Sequence, residues 1–273
     1  MRSLRNITII LLAILATTSP SYAFQSELAE TIGHFYERGD TPALGVVIVH
    51  KDKVLAQSVI GVRAMGGKEK VTADDRWHIG SMTKAFTAHL IYKLAEEGVL
   101  KLSMPIQEFL ISDSLERKER QNKITLDDLL SHRSGLERNL RRRHWPSIFA
   151  AGSRVDGRAK YVDHIFSLQN RSQGKFHYSN AGYVVAASVA EAITQKPWEE
   201  LIKTRVLDQL NITGFGFGRP IYGPFNRQLS NSQLFAVADL NQPRGHRLKN
   251  GKFIPVGLKA RGDNPMVMAP AGG

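Results

Sequence analysis

A serine and a lysine, Ser81 and Lys84, stand three residues apart in the segment WHIGSMTKAFTAHLIYKLAEEG, where an apolar helix is predicted to begin. Residues three apart on a helix lie on the same face. A serine hydroxyl becomes an effective nucleophile only when a nearby base takes its proton. The positive end of the helix dipole favours an oxyanion at Ser81, and together with burial it lowers the pKa of Lys84. The pair therefore predicts a nucleophile with its base; the alternative is an N-cap serine followed by a solvated lysine.

A second pair with the same spacing, Ser172 and Lys175 in SQGK, falls in a glycine-containing turn without a helical pattern, so it is not predicted to be a site. Support for Ser81 comes from FHYSNAGY, which holds the only Tyr-x-Asn of the chain. A phenol beside a cationic lysine ionises more easily, so Tyr178 is a candidate proton relay. The side-chain amide of Asn180 is suited to hold Lys84 or a substrate carbonyl. The alternative is a core tyrosine followed by an N-capping Ser179 or Asn180.

The elements that must position these groups begin with a helix over residues 26–38, capped by Ser26. A β-hairpin follows, with strands over 44–50 and 54–62. The helix that carries Lys84 is apolar nearly all round, which is typical of a helix buried in the middle of a protein, and it ends at Gly98.

The rest of the chain is mainly helical. One helix begins at Thr125 and stops at Gly135, a second covers 179–194, and an amphipathic third covers 198–210. After residue 214 the chain is rich in Gly, Pro and Asn. A two-stranded hairpin is too little sheet to cover a buried helix, so further strands are expected, yet the pattern does not reveal them.

The N-terminal segment and the composition indicate where the protein is located and which partners suit it. The first 23 residues have two arginines, an apolar run and small residues at the end, which predicts a cleaved signal peptide and a secreted or periplasmic protein. The chain has no cysteine, which excludes thiol catalysis and Cys-ligated zinc. The net charge of +12 favours anionic envelope surfaces or acidic substrates over nucleic acid, because export separates the protein from nucleic acid.

Other constellations predict no cofactor and no metal site. The nine histidines are scattered without H-x-H or H-E-x-x-H, and neither G-x-S-x-G nor a glycine-rich phosphate loop occurs. His132 is expected to be structural in its turn, and His177 to end a strand or turn. The segment ERNLRRRHW, residues 137–145, is either a solvated loop or a rim that binds a substrate carboxylate.

Four segments, WHIGSMTKAFTA, LLSHRSGL, FHYSNAGYVVAASVAEAIT and PAGG, occur in the order and approximate spacing of the serine β-lactamase and penicillin-binding-protein-like hydrolases. The chain resembles most the class C β-lactamase-related branch, which includes esterases and D-amino-acid peptidases. The resemblance covers about residues 26–273. It implies that Ser81 is the acylated nucleophile, Lys84 activates it, Tyr178 is the general acid and base, and Asn180 orients the others.

The resemblance also implies an α+β fold, with an antiparallel sheet flanked by helices and an inserted, mostly helical domain. We expect the sheet domain to begin at residues 24–99 and the helical domain to cover 100–273, without a return to the sheet. The family's third motif, K-T-G or H-x-G on a later strand, is not found: HIG at 78–80 precedes the nucleophile, and KTR at 203–205 lies inside a predicted helix. That strand supplies one oxyanion donor, whose loss typically costs ~10²–10³ in rate. The chain is therefore expected to be a truncated, poorly stable hydrolase of little activity.

The sequence predicts an exported serine hydrolase that works through an acyl-enzyme on a small ester or amide, a D-amino-acid or muropeptide bond, or a β-lactam, in that order. The motifs do not separate these substrates, because shared chemistry at the acyl carbonyl says nothing of what flanks it. The alternative is an impaired remnant or a non-catalytic module that binds peptidoglycan or another ligand. The oligomeric state is not predicted.

Overall fold

The computed structural model describes residues 20–110, 124–168, 172–218, 242–256 and 265–273, without the side chains of 20–23. In chain order the helices and strands are α1 (Pro20–Glu37), β1 (Ala43–His50), β2 (Lys53–Gly61), α2 (Thr83–Glu96), α3 (Leu126–Leu130), α4 (Trp145–Phe149), α5 (Arg154–Phe166), α6 (Asn180–Thr194), α7 (Trp198–Ile202), β3 (His246–Lys249), β4 (Lys252–Pro255) and α8 (Ala269–Gly272). The strands pair antiparallel in two hairpins among many helices, as the predicted α+β class requires.

The described residues form two compact units. The first unit contains the described residues up to Asp75 together with residues 242–256. The second unit contains the described residues from Arg76 to Gly218 together with residues 265–273. Helix α2 therefore belongs to the second unit. The domain boundary predicted after residue 99 stays a prediction, as does the signal peptide, of which residues 1–19 lie outside the described residues.

The first unit is built on the predicted hairpin. Strands β1 and β2 pair from Ala43 opposite Gly61 to His50 opposite Lys53, and the register shifts between Ile48 and Val49. Helix α1 packs on this hairpin through Leu28 and Ile32, which are buried beside Ala56. The predicted hairpin is confirmed. It could be predicted because the apolar pattern of period two and the short polar turn indicate the same structure.

One prediction about this unit is wrong. Helix α1 begins at Pro20, so Ser26 lies inside the helix and does not cap it; proline is well tolerated in the first helical turn. The same unit contains a second hairpin, β3 and β4, that the sequence pattern did not reveal; Asn250 and Gly251 join its strands with positive φ angles of 51° and 72°. An Asn-Gly pair is a strong hairpin signal, but these strands are short and too polar to be recognised.

The second unit holds the larger core, centred on α6. All residues of α6 from Ala181 to Glu191 are buried. Glycine at position 182 permits the close approach of α3, because a Cβ there would lie 3.0 Å from the Leu129 carbonyl oxygen. Helix α2 packs on this core with Leu90, Ile91 and Leu94. The sequence predicted that α2 is buried nearly all round, but one side of the helix is exposed. The exposed stripe consists of Ala85, His89, Tyr92 and Glu96.

Some of the helix ends in this unit lie where the sequence predicts them, and others do not. Thr125 caps α3 in a reciprocal capping box with Asp128, as its position predicts. The helix nevertheless stops at Leu130 instead of Gly135, because His132 adopts the left-handed conformation with φ 61°. Gly98 follows the end of α2 with φ 73°, as expected. Helix α7 continues as one π-helical turn over Lys203–Leu207, so the predicted third helix is present but not regular throughout.

Candidate active site

The amine of Lys84 lies at the centre of a hydrogen-bonded cluster within the second unit. Its Nζ donates to Ser81 Oγ at 3.2 Å, to Asn180 Oδ1 at 2.7 Å and to the Ala271 carbonyl oxygen at 2.6 Å. Only 6% of Lys84 is exposed. The solvated-lysine alternative is therefore wrong, because every hydrogen of the ammonium has a protein acceptor.

Ser81 lies in a 3-10 turn, Gly80–Met82, directly before α2. The sequence predicted it in the first turn of the helix itself, but the spacing of three still directs its hydroxyl towards Lys84. Gly80 has φ 53°, a left-handed conformation that glycine adopts without a steric penalty. Its N–H donates to His78 Nδ1 at 3.1 Å, which fixes the turn that presents the exposed serine.

Tyr178 and Asn180 flank the start of α6. Ser179 caps this helix by accepting a hydrogen bond from the Gly182 N–H, so the residues on either side of it are held rigidly. Tyr178 Oη donates to Ser81 Oγ at 2.8 Å. Asn180 Nδ2 donates to Asn139 Oδ1 at 2.9 Å, which leaves its Oδ1 directed at Lys84. The structure thus brings all four sequence-predicted site residues together.

The PAGG segment takes part in the site through its backbone, which the sequence did not reveal. Besides the Ala271 carbonyl on Lys84, the hydroxyl of Thr83 donates to Gly273 O at 2.8 Å and that of Thr87 donates to Pro270 O at 2.8 Å. The sequence held one signal for this contact, which was two threonines on either side of a lysine in an otherwise apolar helix. Buried hydroxyl groups need hydrogen-bond partners, so a polar segment had to lie against them. The segment that they bind could not be inferred, because carbonyl positions depend on the fold.

The surroundings lower the pKa of both candidate bases, Lys84 and Tyr178. Burial lowers the pKa of Lys84 below its ordinary value, and the positive charge of Arg138 lowers it further, although the Tyr178 phenol acts in the opposite direction. Burial opposes ionisation of Tyr178, but Lys84, Ser81 and Arg138 together outweigh it and lower the pKa of the phenol. The arrangement is chemically suited to take the proton of the Ser81 hydroxyl.

His132 supports this cluster from behind. Its ring centroid lies 4.5 Å from that of Tyr178 and 5.3 Å from that of Tyr183. Its Nδ1 accepts the Ser179 N–H at 3.1 Å, and burial followed by the Lys84 charge lowers the pKa of its imidazole. These contacts extend the expected structural role to holding Tyr178. His177 directly precedes Tyr178 and donates its N–H to the His132 carbonyl at 2.7 Å.

The other sequence candidates lie apart from this chemistry or at its edge. Ser172 and Lys175 flank a turn in which Gly174 has φ 84°, so the predicted glycine-containing turn is present. Of the arginine-rich segment, Arg138 reaches the site, with its guanidinium carbon 5.3 Å from the Tyr178 ring centroid. Among the described residues, no group of three His, Asp or Glu is arranged to hold a metal ion. None of the described helices is long and apolar enough to cross a membrane.

A sequence model of the Beta-lactamase family matches residues 28–272, so the chain belongs to this family. The resemblance to serine β-lactamases and penicillin-binding proteins is thereby confirmed.

Individual relatives agree with this assignment. Protein flp of Staphylococcus aureus (strain NCTC 8325 / PS 47) is 25% identical over 201 residues, which cover 72% of this chain and 39% of that protein. Penicillin-binding protein 4 of Amycolatopsis lactamdurans is 25% identical over 166 residues, covering 60% of this chain and 42% of that protein. A solved class C beta-lactamase shares 15% identity and a TM-score of 0.68, over 94% of this chain and 62% of that chain, which confirms the β-lactamase/transpeptidase-like fold. The chain spans about two-fifths of the length of these curated relatives.

Proposed function

We propose that this protein is an exported serine hydrolase that acts through an acyl-enzyme formed on Ser81. The observation that carries the proposal is the pair of contacts on Ser81 Oγ, 2.8 Å to Tyr178 Oη and 3.2 Å to Lys84 Nζ. A hydroxyl between two groups of lowered pKa is the arrangement that nucleophilic catalysis needs.

In this mechanism Lys84 or Tyr178, in its deprotonated form, takes the proton from Ser81 as Oγ bonds to the acyl carbonyl carbon. Tyr178 passes that proton to the leaving oxygen or nitrogen as its bond to the carbonyl carbon breaks, which leaves an acyl ester on Ser81. A water molecule then attacks the ester; the same base takes its proton and returns it to Ser81 Oγ. Asn180 keeps Lys84 in place throughout.

The substrates that we propose, in order, are a small ester or amide, a D-amino-acid or muropeptide bond, and a β-lactam. The name of the Amycolatopsis lactamdurans relative, a penicillin-binding protein, supports the last of these classes. A secreted or periplasmic location suits all three, and the N-terminal sequence supports it.

A covalent serine-hydrolase probe tests the proposal. We expect a fluorophosphonate to label the wild-type protein on the peptide that contains Ser81, and Ser81→Ala to abolish the labelling. Ser172→Ala, which removes the serine of the second Ser-x-x-Lys pair, is the matched control and should label like the wild type. No labelling of folded wild-type protein would favour a non-catalytic binding module. Labelling that survives Ser81→Ala would show that another residue reacts with the probe and would overturn the role proposed for Ser81.

A further inference from the structure

Tyr178 lies between two residues that are both bound to His132. The N–H of His177 donates to the His132 carbonyl oxygen at 2.7 Å. The N–H of Ser179 donates to the His132 side chain, at 3.1 Å from Nδ1. Because Ser179 is also the N-cap of α6, these two bonds fix the backbone of the tyrosine together with the start of the helix. His132 therefore holds the backbone from which the Tyr178 phenol reaches Ser81.

The ring of His132 supports the same tyrosine. Its centroid lies 4.5 Å from that of Tyr178, with an angle of 35° between the ring planes, and 5.3 Å from that of Tyr183. The backbone of His132 adopts the left-handed conformation, with φ 61°, directly after α3. This conformation is uncommon for residues other than glycine, although histidine and asparagine are enriched in it. An uncommon backbone conformation beside a catalytic group points to a role of the side chain in the site.

The hydrogen bond on Nδ1 restricts the protonation state of His132. A ring nitrogen that accepts from an N–H carries no hydrogen itself, so the imidazole is neutral and its proton is on Nε2. The surroundings favour this state, because burial lowers the pKa of the imidazole, and the positive charge of Lys84, followed by that of His177, lowers it further. The rings of Tyr178 and Tyr183 face the imidazole as well.

We propose that His132 is a positioning residue for the reaction at Ser81, and that it acts only while its imidazole is neutral. Protonation of Nδ1 turns an acceptor into a donor, so that it and the Ser179 N–H become two donors facing each other. The bond then breaks, the backbone around Tyr178 is released, and the phenol no longer holds the Ser81 hydroxyl. This inference rests on the proposed function. It adds a second inactivating proton to the one on the coupled pair of Lys84 and Tyr178.

The rate at which the covalent probe labels Ser81 in acid tests for this second proton. Loss of one base alone lowers the rate about tenfold per pH unit, whereas two protons lower it about 100-fold per unit. Because the pKa of His132 is lowered, the steeper fall of the wild-type rate should begin below about pH 6.5.

Two variants of His132 separate the acceptor from the titration. His132→Asn does not titrate, keeps an acceptor in Oδ1 and tolerates the left-handed conformation. It should label within about threefold of the wild-type rate at pH 8, and its rate should fall only about tenfold per pH unit in acid. His132→Leu has a similar size but no acceptor, so it should lower the rate by roughly 10- to 100-fold at pH 8.

The control is His89→Asn, which removes an exposed histidine from α2 and should keep the wild-type profile. Urea denaturation shows whether each variant is folded under the conditions of labelling. Equal acid slopes of the wild type and His132→Asn would overturn the inference. Equal losses of rate in His132→Asn and His132→Leu would also overturn it, because the acceptor would then have no effect.

The Ser179 amide gives a measurement that does not depend on activity. Its hydrogen-exchange protection, measured by NMR, should fall as the pH decreases through the pKa of His132, and should stay constant over the same range in His132→Asn. Nitrogen NMR of the wild-type imidazole at neutral pH should show the proton on Nε2, and a proton on Nδ1 would overturn the inference. If Ser81 is not labelled at all, the proposed function fails, whereas the protection of the Ser179 amide still decides whether neutral His132 holds this segment.

Discussion

The amine of Lys84 donates to three oxygen atoms, and among these three only Ser81 Oγ carries a proton to give. Asn180 Oδ1 and the Ala271 carbonyl are pure acceptors and lie closer, at 2.7 and 2.6 Å, than Ser81 Oγ at 3.2 Å. A neutral amine has two hydrogens and one lone pair. The two acceptors hold the two hydrogens, so the lone pair is directed at the Ser81 hydroxyl.

This geometry gives the reaction a pH dependence with a definite sign. Both Lys84 and Tyr178 have lowered pKa values, and each acts as a base only after it loses a proton. Labelling of Ser81 by the covalent probe should therefore rise with pH through one apparent pKa, which belongs to the coupled pair, and then level off. The measurement is the labelling rate across the neutral and alkaline range.

The matched variant for this profile is Lys84→Arg. A guanidinium keeps its proton throughout this range, so the Lys84 base is lost and the plateau rate should fall by about 10²–10⁴. A profile that falls with rising pH, or a Lys84→Arg variant that labels at the wild-type rate, would contradict the assigned role of Lys84.

At the scale of elements, α5, α6 and α7 are joined by an ion cluster in the core. Arg158 is fully buried; it donates to Glu191 through Nε at 3.0 Å and to Glu199 through Nη2 at 2.8 Å. Glu191 also accepts the Trp198 N–H at 2.7 Å. Burial opposes the charge of Glu199, but the charge and hydrogen bonds of Arg158 outweigh this and lower the pKa of the carboxyl.

Removal of one partner from such a cluster costs more than the cluster itself contributes. Arg158→Met leaves two buried carboxylates, of which Glu199 keeps an ion pair with Arg154 at 3.5 Å. We expect a loss of about 3–5 kcal/mol in the free energy of unfolding, measured by urea denaturation.

Arg205→Met, which breaks an exposed pair with Glu97, is the control for that measurement and should cost no more than about 1 kcal/mol. Without Arg158, burial of Glu199 is no longer offset by that charge, so we expect the pKa of the Glu199 carboxyl in the folded variant to rise. The loss should therefore shrink as the pH falls through that raised pKa, because protonation removes the unpaired charge. A loss that is independent of pH would mean that cavity formation, not unpaired charge, is the cause.

The elements and the four site residues were predictable where local signals agreed. Some contacts join residues only a few positions apart, so the residue types of a short segment are enough to predict them. Examples are the helix caps at Thr125 and Ser179 and the spacing of Ser81 and Lys84. The Ala271 carbonyl on Lys84 was not predictable, because this contact joins backbone to a side chain 187 residues away. The exposed stripe of α2 was missed since alanine and tyrosine occupy core and surface alike.

At the scale of the whole molecule, the net charge of +12 is the property that bears on location. Cleavage of the predicted signal peptide removes two arginines and leaves +10. Positive charge is concentrated on the β3–β4 hairpin, where Arg247, Lys249 and Lys252 are exposed. Arg142 is a further exposed cation outside the hairpin. Clustered exposed cations attract anionic surfaces over about one Debye length, ~10 Å at 0.1 M salt and ~3 Å at 1 M.

We therefore expect the protein to sediment with vesicles that contain anionic lipid at low salt, and to be released as the salt concentration approaches 1 M. Vesicles of neutral lipid are the control and should bind little. A triple variant, Arg247→Gln, Lys249→Gln and Lys252→Gln, should weaken binding to anionic vesicles while it leaves probe labelling of Ser81 unchanged, because none of these residues belongs to the site. Binding that is equal on neutral vesicles, or that salt does not weaken, would refute an electrostatic association and point instead to the exposed apolar side chains of the same hairpin, Leu248 and Ile254.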